Sequence, residues 1–431
     1  MKFGTSGIRG KYPEVINEEL AKKLAYAINS YTKGKVAIAT DTRLSGPSLK
    51  KALIENTNND ILDFGVVPTP LLCFGIENSD AAIGVMITAS HNPREDNGFK
   101  LWDENGMAFT RDKEEKIEAL LASYKKHPIK EKTVQKVDII EKYKKAIRDK
   151  IQLKGNLKVL IDCGGGAAYT ITPELLDEYG YETVKISCEP DGSFSARNPE
   201  PNQDNLKHTA ELVKKHHCDI GFAHDGDADR VMAIDNKGNV VDFDKFLAFL
   251  CKNSKNKGKF VVTVDTSMTV DHAVKGQIIR AKVGDVAVAE ELQKTNADFG
   301  GEPSGSYIFP EFGLWPDGVY AVFKILSFLE KDGRSLSDIL DEIKKFPFSR
   351  NKLECKNKEK VMQELKGLVP DDCELNTIDG LFMKFKDSSI LIRPSGTQSI
   401  VRVNIEAESE EKLKNLKEFW IEKVKEVIQN G

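Results

Sequence analysis

No stretch of this 431-residue chain approaches the roughly 20 consecutive apolar residues of a membrane span, so a membrane-embedded protein is not expected. An excess of basic charge is also missing. Lys plus Arg number 63 and Asp plus Glu 67, a formal charge of −4. A nucleic-acid-binding chain usually tips that balance towards the bases, so none is expected as a partner. Cysteine is sparse and unpatterned. Cys73, Cys163, Cys188, Cys218, Cys251, Cys355 and Cys373 are scattered, odd in number and contain no C-x-x-C pair. That usage speaks against a disulfide scaffold or a zinc site and for reduced thiols in a cytoplasmic protein. The opening "MKFGTSGIRG" carries glycines where a secretory leader needs an apolar core. Neither a G-x-S-x-G elbow nor the phosphate-loop pattern G-x-x-x-x-G-K-[ST] occurs, which leaves little support for a hydrolase triad or a nucleotide-binding loop of that kind. No low-complexity segment is present.

What the chain does have is repetition. "KVAIATDT" begins at Lys35, "KVLIDCGGG" at Lys158 and "KFVVTVDTS" at Lys259. Each is a lysine, a β-branched apolar run, an aspartate and small residues. Each reads as a buried parallel strand running into a turn. A second echo follows each one: "AAIGVMITASHNP" from Ala81, "CDIGFAHDGDADR" from Cys218 and "ADFGGEPSGSYIF" from Ala297. Their shared core is a small or acidic residue, then Ile or Phe, then Gly. Helical patterns lie between. "INEELAKKLAYAINSY" puts Leu20, Leu24, Ile28 and Tyr31 on one face with Asn17 as N-cap. Strands alternating with helices imply parallel sheets. Two echoes in the same order three times therefore predict three related α/β domains with mainly parallel sheets, over residues 1–150, 151–241 and 242–346. Residues 347–431 differ. "DGLFMKFKDSSILIRPSGTQSIVRVNIEAES" alternates like antiparallel strands, and the segment after it spaces Leu413, Leu416, Trp420, Val424 and Val427 as a helix. This predicts a fourth, α+β domain.

Parallel α/β sheets bind ligands beyond the C-terminal ends of their strands. The second echo of each repeat places a distinctive loop there. "HDGDADR" holds Asp225, Asp227 and Asp229 at alternate positions, followed by Arg230. Three carboxylates so close repel one another unless a cation sits between them, and all-oxygen ligation suits Mg²⁺. A calcium hand needs glycine and glutamate where Arg230 and Asn236 stand. "TASHNP" ends an apolar strand in Ser90. Opposite a bound Mg²⁺, that serine could carry a phosphoryl group. His91 directly follows it, so the two side chains are not expected to converge as nucleophile and base. His91 reads instead as a loop-shaping or phosphate-side residue. Lys100 is a candidate acid, base or phosphate ligand. "GGEPSG" offers Glu302 and Ser304 to sugar hydroxyls, on glycines that allow close backbone approach. "RPSGTQS" offers Arg393 as a bidentate phosphate fork, with Ser395, Gly396 and Thr397 around the same anion. "FGTSGIRG" adds a glycine-spaced loop with Arg9.

Taken together, "FGTSGIRG", "TASHNP", "DGDADR", "GGEPSG" and "RPSGT" resemble the α-D-phosphohexomutase family, in the family's order and over essentially the whole chain. The resemblance implies three related α/β domains and a C-terminal α+β, TATA-binding-protein-like domain around one cleft. It implies a phosphohexomutase that interconverts hexose 6-phosphate and hexose 1-phosphate through a phosphoserine and a bisphosphate intermediate, with a hexose 1,6-bisphosphate as activator. Ser90 would be that phosphoserine, and Asp225, Asp227 and Asp229 would hold Mg²⁺ with the Ser90 phosphate. Arg230 would support this phosphate, and Arg9 and Lys100 would assist proton transfer beside Ser90. Glu302 and Ser304 would grip the sugar. Arg393, Ser395, Gly396 and Thr397 would bind the phosphate that is not reacting, and Lys282 would add a phosphate contact. The expected partners are small sugar phosphates, and the expected state is a monomer or homodimer with a hinge before the fourth domain. The sequence departs from the family pattern at Ser306, where many members have histidine, at Gln398 and Ser399 in the phosphate loop, and at Ala228, where glycine is common. The "RPSGT" and "GGEPSG" loops are most similar to the phosphoglucosamine mutase branch, especially its archaeal members. A phosphomannomutase/phosphoglucomutase with the same mechanism is the alternative. A phosphatase, or a non-catalytic sugar-phosphate-binding protein on the same scaffold, is the reading from another class.

Overall fold

The computed structural model describes residues 2–4, 7–254, 256–395 and 399–430. It divides into two compact units, Met1–Val241 with Ser304–Ile339, and Asp242–Pro303 with Leu340–Gly431. Among the described residues no helix is long and apolar enough to cross a membrane.

The first unit carries two sheets. In one the strand order is Ile8–Lys11, Asp96–Asp103, Ala81–Ile87, Lys35–Thr40, Ile61–Val66, Val134–Lys136. In the other it is Val231–Asp235, Ile220–His224, Lys158–Asp162, Glu182–Ile186. In the second unit Phe299–Gly301, Lys259–Thr263 and Gln277–Ala281 repeat the same arrangement. Each first-echo strand lies between two parallel neighbours, one of which is the second-echo strand. The register is the same all three times. Ala37 faces Gly84, Leu160 faces Gly221 and Val261 faces Gly300, each the third residue of its echo against the shared glycine.

That glycine has a packing cause. A Cβ on Gly84 would meet Ile76 Cδ1 at 2.1 Å, one on Gly221 would meet Val213 Cγ2 at 2.4 Å, and one on Gly300 would meet Leu292 Cδ1 at 2.6 Å. These partners sit on the helices Thr69–Glu77, Lys207–Lys215 and Asp285–Thr295, each of which leads into its second-echo strand. The crossover helix presses onto the sheet at that point, and only glycine leaves it room.

The helix Glu18–Tyr31 forms for the expected reasons. Asn17 Oδ1 accepts from Leu20 N at 3.0 Å, capping the first turn, and Leu20, Leu24 and Ile28 are buried. Each such burial is worth roughly 1.5–3 kcal/mol. Tyr31 is only partly buried against the same core. The helix Ile140–Lys150 sends Tyr143 Oη to Asp317 (2.6 Å to Oδ2) and Lys144 Nζ to Glu174 (2.6 Å).

The second unit also holds an antiparallel sheet, Phe348–Glu354, Ile400–Ala407, Ser388–Pro394, Leu381–Lys384, Glu374–Asn376, under the helix Glu410–Asn430. Leu413, Trp420, Val424 and Val427 of that helix are buried with Ile390, Ile392, Val401, Val403 and Ile405 of the strands. Period-2 strand faces and a period-3.6 helix face meet in one core, which makes this part α+β.

Candidate active site

The strand Ala81–Ile87 is buried on both faces, and Thr88 and Ala89 separate its end from Ser90. Ser90 has φ 51, in the left-handed region. A non-glycine residue held there costs about 1–3 kcal/mol and persists only when its surroundings enforce it. Here the enforcement comes from Arg43, which is 1% exposed. Its guanidinium donates to the carbonyls of Ser90 (2.9 Å), Asn92 (2.7 Å), Pro93 (2.6 Å) and Asp96 (2.8 Å). Asp41 Oδ2 accepts from Arg43 Nε at 3.1 Å and from Thr88 Oγ1 at 2.6 Å, and Thr88 Oγ1 accepts from Ser90 N at 2.8 Å. Burial pushes the Asp41 carboxyl up, and Arg43 opposes that rise. The loop after the second-echo strand is thus clamped by the aspartate and arginine that end the first-echo strand. The second repeat has the same device. Arg197 is paired with Asp162 (2.9 Å) and donates to the carbonyl of His224 (2.6 Å), one residue before Asp225.

A buried ion pair that loses one partner leaves the other charge uncompensated, at about 3–5 kcal/mol. Arg43→Met is therefore expected to lower unfolding stability by about that amount in denaturant melts. A loss below about 1 kcal/mol would show that the clamp is not rigid in solution.

Ser90 Oγ donates to Asp225 Oδ2 at 2.7 Å and lies 3.5 Å from Asp229 Oδ1. Asp225, Asp227 and Asp229 follow the strand Ile220–His224, all buried, each with a carboxylate oxygen within 4.8 Å of the others. Ala228 also takes a left-handed φ of 54, which tightens the turn that gathers them. Gly226 lies against the Ser90 carbonyl, which a Cβ would meet at 2.7 Å. Asp227 Oδ2 accepts from Thr69 Oγ1 at 2.6 Å, while Asp227 Oδ1 is buried with no hydrogen-bond partner among the described residues. Lys100, on the strand Asp96–Asp103, places Nζ 2.5 Å from Asp229 Oδ2 and 3.5 Å from Asp227 Oδ2. Burial, then Asp229 and Asp227, push the Asp225 carboxyl well up. Burial would raise Asp229 too, but Lys100 and Arg230 beside it hold it below the usual carboxylate range. A carboxylate oxygen with no partner, among three buried acids, fits a hard divalent cation. The donor set is all oxygen, as Mg²⁺ requires.

Arg9, on the strand Ile8–Lys11, donates from Nη1 to the carbonyl of Ala89 at 3.4 Å, which places it at the Ser90 loop. Arg230 N lies 3.3 Å from Asp225 Oδ1, and its Nε lies 4.0 Å from Asp229 Oδ1. Ser306 is bridged backbone-to-backbone with Arg230, and Ser304 Oγ, two residues earlier, is buried without a hydrogen-bond partner among the described residues. One expectation fails. His91 Nδ1 lies 3.3 Å from Ser90 Oγ, so these adjacent side chains do converge. The left-handed backbone of Ser90 folds the turn back and brings them together. Burial, with Arg230 and Arg9 nearby, lowers the His91 pKa to about 2, so the ring is neutral.

In the second unit, Glu302 follows the strand Phe299–Gly301, and Lys282 is exposed after Gln277–Ala281. Arg393 Nε forms an ion pair with Asp379 Oδ2 at 2.8 Å, without the alignment of a hydrogen bond. Ser395 N donates to the carbonyl of Ile400 at 3.0 Å. Gly396 and Thr397 lie outside the described residues. Three further cations belong to this region and escape sequence inspection. Arg402 faces Arg393 on one side and Lys352 on the other, and Arg350 and Asn404 form the next row. All five line a cavity of about 210 Å³ with Asp265. Like charges directly opposite each other destabilise a sheet, so a row of three is suited to an anion. The sequence signal is the alternation in "VRVN" and "RNKLE", which puts Arg402 with Asn404 and Lys352 with Arg350. Only the strand register shows that these rows meet. Thr69 and Arg43 had no comparable signal.

Sequence models of the phosphoglucomutase/phosphomannomutase family match the chain four times: alpha/beta/alpha domain I at residues 1–128, domain II at 137–238, domain III at 242–346 and the C-terminal domain at 352–423. A phosphoglucosamine mutase of Methanococcus maripaludis is 40% identical over 453 residues, covering 100% of this chain and 99% of that one. A protein of Pyrococcus abyssi named "probable phosphoglucosamine mutase" is 40% identical over 447 residues, with 100% and 99% covered. Among solved structures, a phosphoglucomutase/phosphomannomutase family protein of Burkholderia thailandensis superposes with a TM-score of 0.88 at 25% identity, over 98% of this chain and 97% of that one. The fold is also shared with Aspergillus fumigatus N-acetylphosphoglucosamine mutase in complex with GlcNAc-6P and magnesium, with a TM-score of 0.58 at 15% identity, over 100% and 96%.

Proposed function

This chain belongs to the phosphoglucomutase/phosphomannomutase, or α-D-phosphohexomutase, family, and from that premise we propose that it interconverts glucosamine 6-phosphate and glucosamine 1-phosphate through a phosphorylated Ser90. The observation that carries this reading is Ser90 Oγ at 2.7 Å from Asp225, beside three buried aspartates within 4.8 Å of one another. The amino-sugar choice is supported by full-length relatives at about 40% identity that bear that name.

In the proposed cycle, phospho-Ser90 passes its phosphoryl group to the free hydroxyl of the hexose monophosphate, and Ser90 Oγ is the leaving oxygen. Asp225, Asp227, Asp229 and an oxygen of the Ser90 phosphate would hold Mg²⁺, whose contribution when bound is to neutralise the phosphoryl charge. Lys100 and Arg9 complement the charge that develops beside Ser90 and assist the proton's passage from the attacking hydroxyl. Arg230 supports the serine phosphate. Glu302 and Ser304 grip sugar hydroxyls. Arg393, Ser395, Gly396 and Thr397 bind the phosphate that is not reacting, with Arg402 beside Arg393 and with Lys282 as a further contact. The bisphosphate turns over, and its other phosphate returns to Ser90. A hexose 1,6-bisphosphate would also load an unphosphorylated serine.

The test is kcat/KM on glucosamine-, glucose- and mannose-6-phosphate with Mg²⁺ and a trace of bisphosphate. A preference of at least about tenfold for the amino sugar is expected, equivalent to about 1.4 kcal/mol of differential transition-state binding. Equal or greater activity on glucose or mannose keeps the mechanism and overturns the substrate.

A further inference from the structure

Cys163 and Cys188 lie outside the site just described. Cys163 directly follows the strand Lys158–Asp162, and Cys188 follows its parallel neighbour Glu182–Ile186 by two residues. Their Sγ atoms are 3.3 Å apart. Asp162 pairs with Ile186, and bonds from Cys163 N to Ile186 O (3.1 Å) and from Gly165 N to Ser187 O (2.9 Å) keep the two turns side by side. Adjacent strands stand about 4.8 Å apart, and one diagonal step from there falls within the roughly 4.4–6.8 Å Cα separation that a disulfide accepts. Ser187 has a left-handed φ of 48, which turns the chain so that Cys188 faces Cys163. Access is asymmetric. Cys163 is fully buried, whereas Cys188 is partly exposed. A hydrogen bond with Cys163 lowers the Cys188 thiol, and burial pushes Cys163 well up. An attacking thiol that solvent reaches, backed by a buried resolving thiol, is the arrangement of a redox-reactive pair.

We propose that Cys163 and Cys188 are a reversible redox site that closes to a disulfide by exchange with a small disulfide of the glutathione class, and that closing it weakens the loop of Asp225, Asp227 and Asp229. In the first step the Cys188 thiolate attacks one sulfur of the small disulfide and expels one small thiolate. In the second, the Cys163 sulfur attacks Cys188, breaks the mixed disulfide and expels the other. Two protein thiols are oxidised, one small disulfide is reduced to two thiols, and the two protein protons end on those thiols. The coupling runs through the turn that holds Cys163. Its neighbour Asp162 accepts from Gly164 N (2.7 Å), Thr209 Oγ1 (2.7 Å) and Arg197 Nε (2.9 Å), and Arg197 in turn holds the carbonyl of His224. Ala167 N donates to the carbonyl of Gly226, inside the aspartate loop, at 2.9 Å. Shortening the sulfur separation to about 2.05 Å pulls directly on this turn.

The experiment treats the full chain with oxidised glutathione, maps its cross-links by non-reducing peptide mass spectrometry, and measures Mg²⁺ affinity by thermal shift before and after. A Cys163–Cys188 cross-link is expected, removed by dithiothreitol and absent in Cys188→Ser. Mg²⁺ affinity is expected to fall roughly tenfold in the oxidised protein, the scale seen when groups supporting metal ligands are disturbed. Cys188→Ser, unoxidised, should bind Mg²⁺ like the reduced parent. Stable glutathione adducts without the cross-link, cross-links to other cysteines, or a cross-link that leaves Mg²⁺ affinity unchanged would each overturn the proposal. The mapping is independent of the mutase reading, so a reduced protein without mutase activity counts against that reading alone.

Discussion

Ser90→Ala is expected to lower mutase kcat by roughly 10⁴-fold or more, the scale of losing a covalent nucleophile. The parent should carry a phosphate that maps to Ser90 after exposure to hexose bisphosphate, and the variant should carry none. The fold should tolerate the change. Among the described residues Ser90 Oγ bonds to groups of the site, chiefly Asp225 at 2.7 Å, while the loop is held through its carbonyls by Arg43. Alanine pays about the same left-handed backbone cost that serine already pays at position 90, so a melting curve close to the parent's should accompany the lost activity. Substantial residual turnover in a folded variant would mean that phosphate passes through another group. His91, 3.3 Å away, would then be the first residue to examine.

The second large effect concerns the three aspartates. Chelation is expected to abolish turnover and Mg²⁺ to restore it. Asp227→Asn is expected to lower kcat by about 10²–10³-fold, the scale of removing one preorganised electrostatic group. Asp227 Oδ1 is buried without a hydrogen-bond partner among the described residues, while Thr69 occupies Oδ2. An asparagine still accepts from Thr69, so it removes the charge and one ligand and leaves the packing. Without metal, the variant should be at least as stable as the parent, because Asp225 and Asp229 then face one charge fewer. With Mg²⁺ at about 100 times its dissociation constant, the parent should gain about 2.7 kcal/mol and the variant far less. An equal Mg²⁺-induced shift in both proteins would move the metal site elsewhere.

Much of this was legible before any coordinates. The paired echoes, the strand-ending Ser90 and the alternating aspartates are local patterns, and local patterns survive in sequence because strand and turn chemistry act over a few residues. The echo glycine was visible as a pattern but not as a reason. Gly84, Gly221 and Gly300 answer to Ile76, Val213 and Leu292, eight residues upstream each time, through the way a crossover helix lies on its sheet. His91 was misjudged because sequence adjacency in an extended chain separates side chains, whereas the left-handed turn at Ser90 brings them together. Arg43 follows "TDT" with no sequence pattern that marks its role. It is instead the buried clamp on four carbonyls of a loop some 50 positions away.

The chain alone determined the repeating α/β plan, the α+β end and the chemical identity of the groups, because periodicity, charge and nucleophilicity belong to residues. Only the tertiary structure decided which of them meet. Strand register set Arg402 between Arg393 and Lys352, and strand order set Lys100 beside Asp229. Close packing left Asp227 with an oxygen that no group among the described residues satisfies. Contacts such as these join residues far apart in the chain, Thr69 and Asp227 by 158 positions, and they depend on how whole sheets pack, which no window of sequence contains.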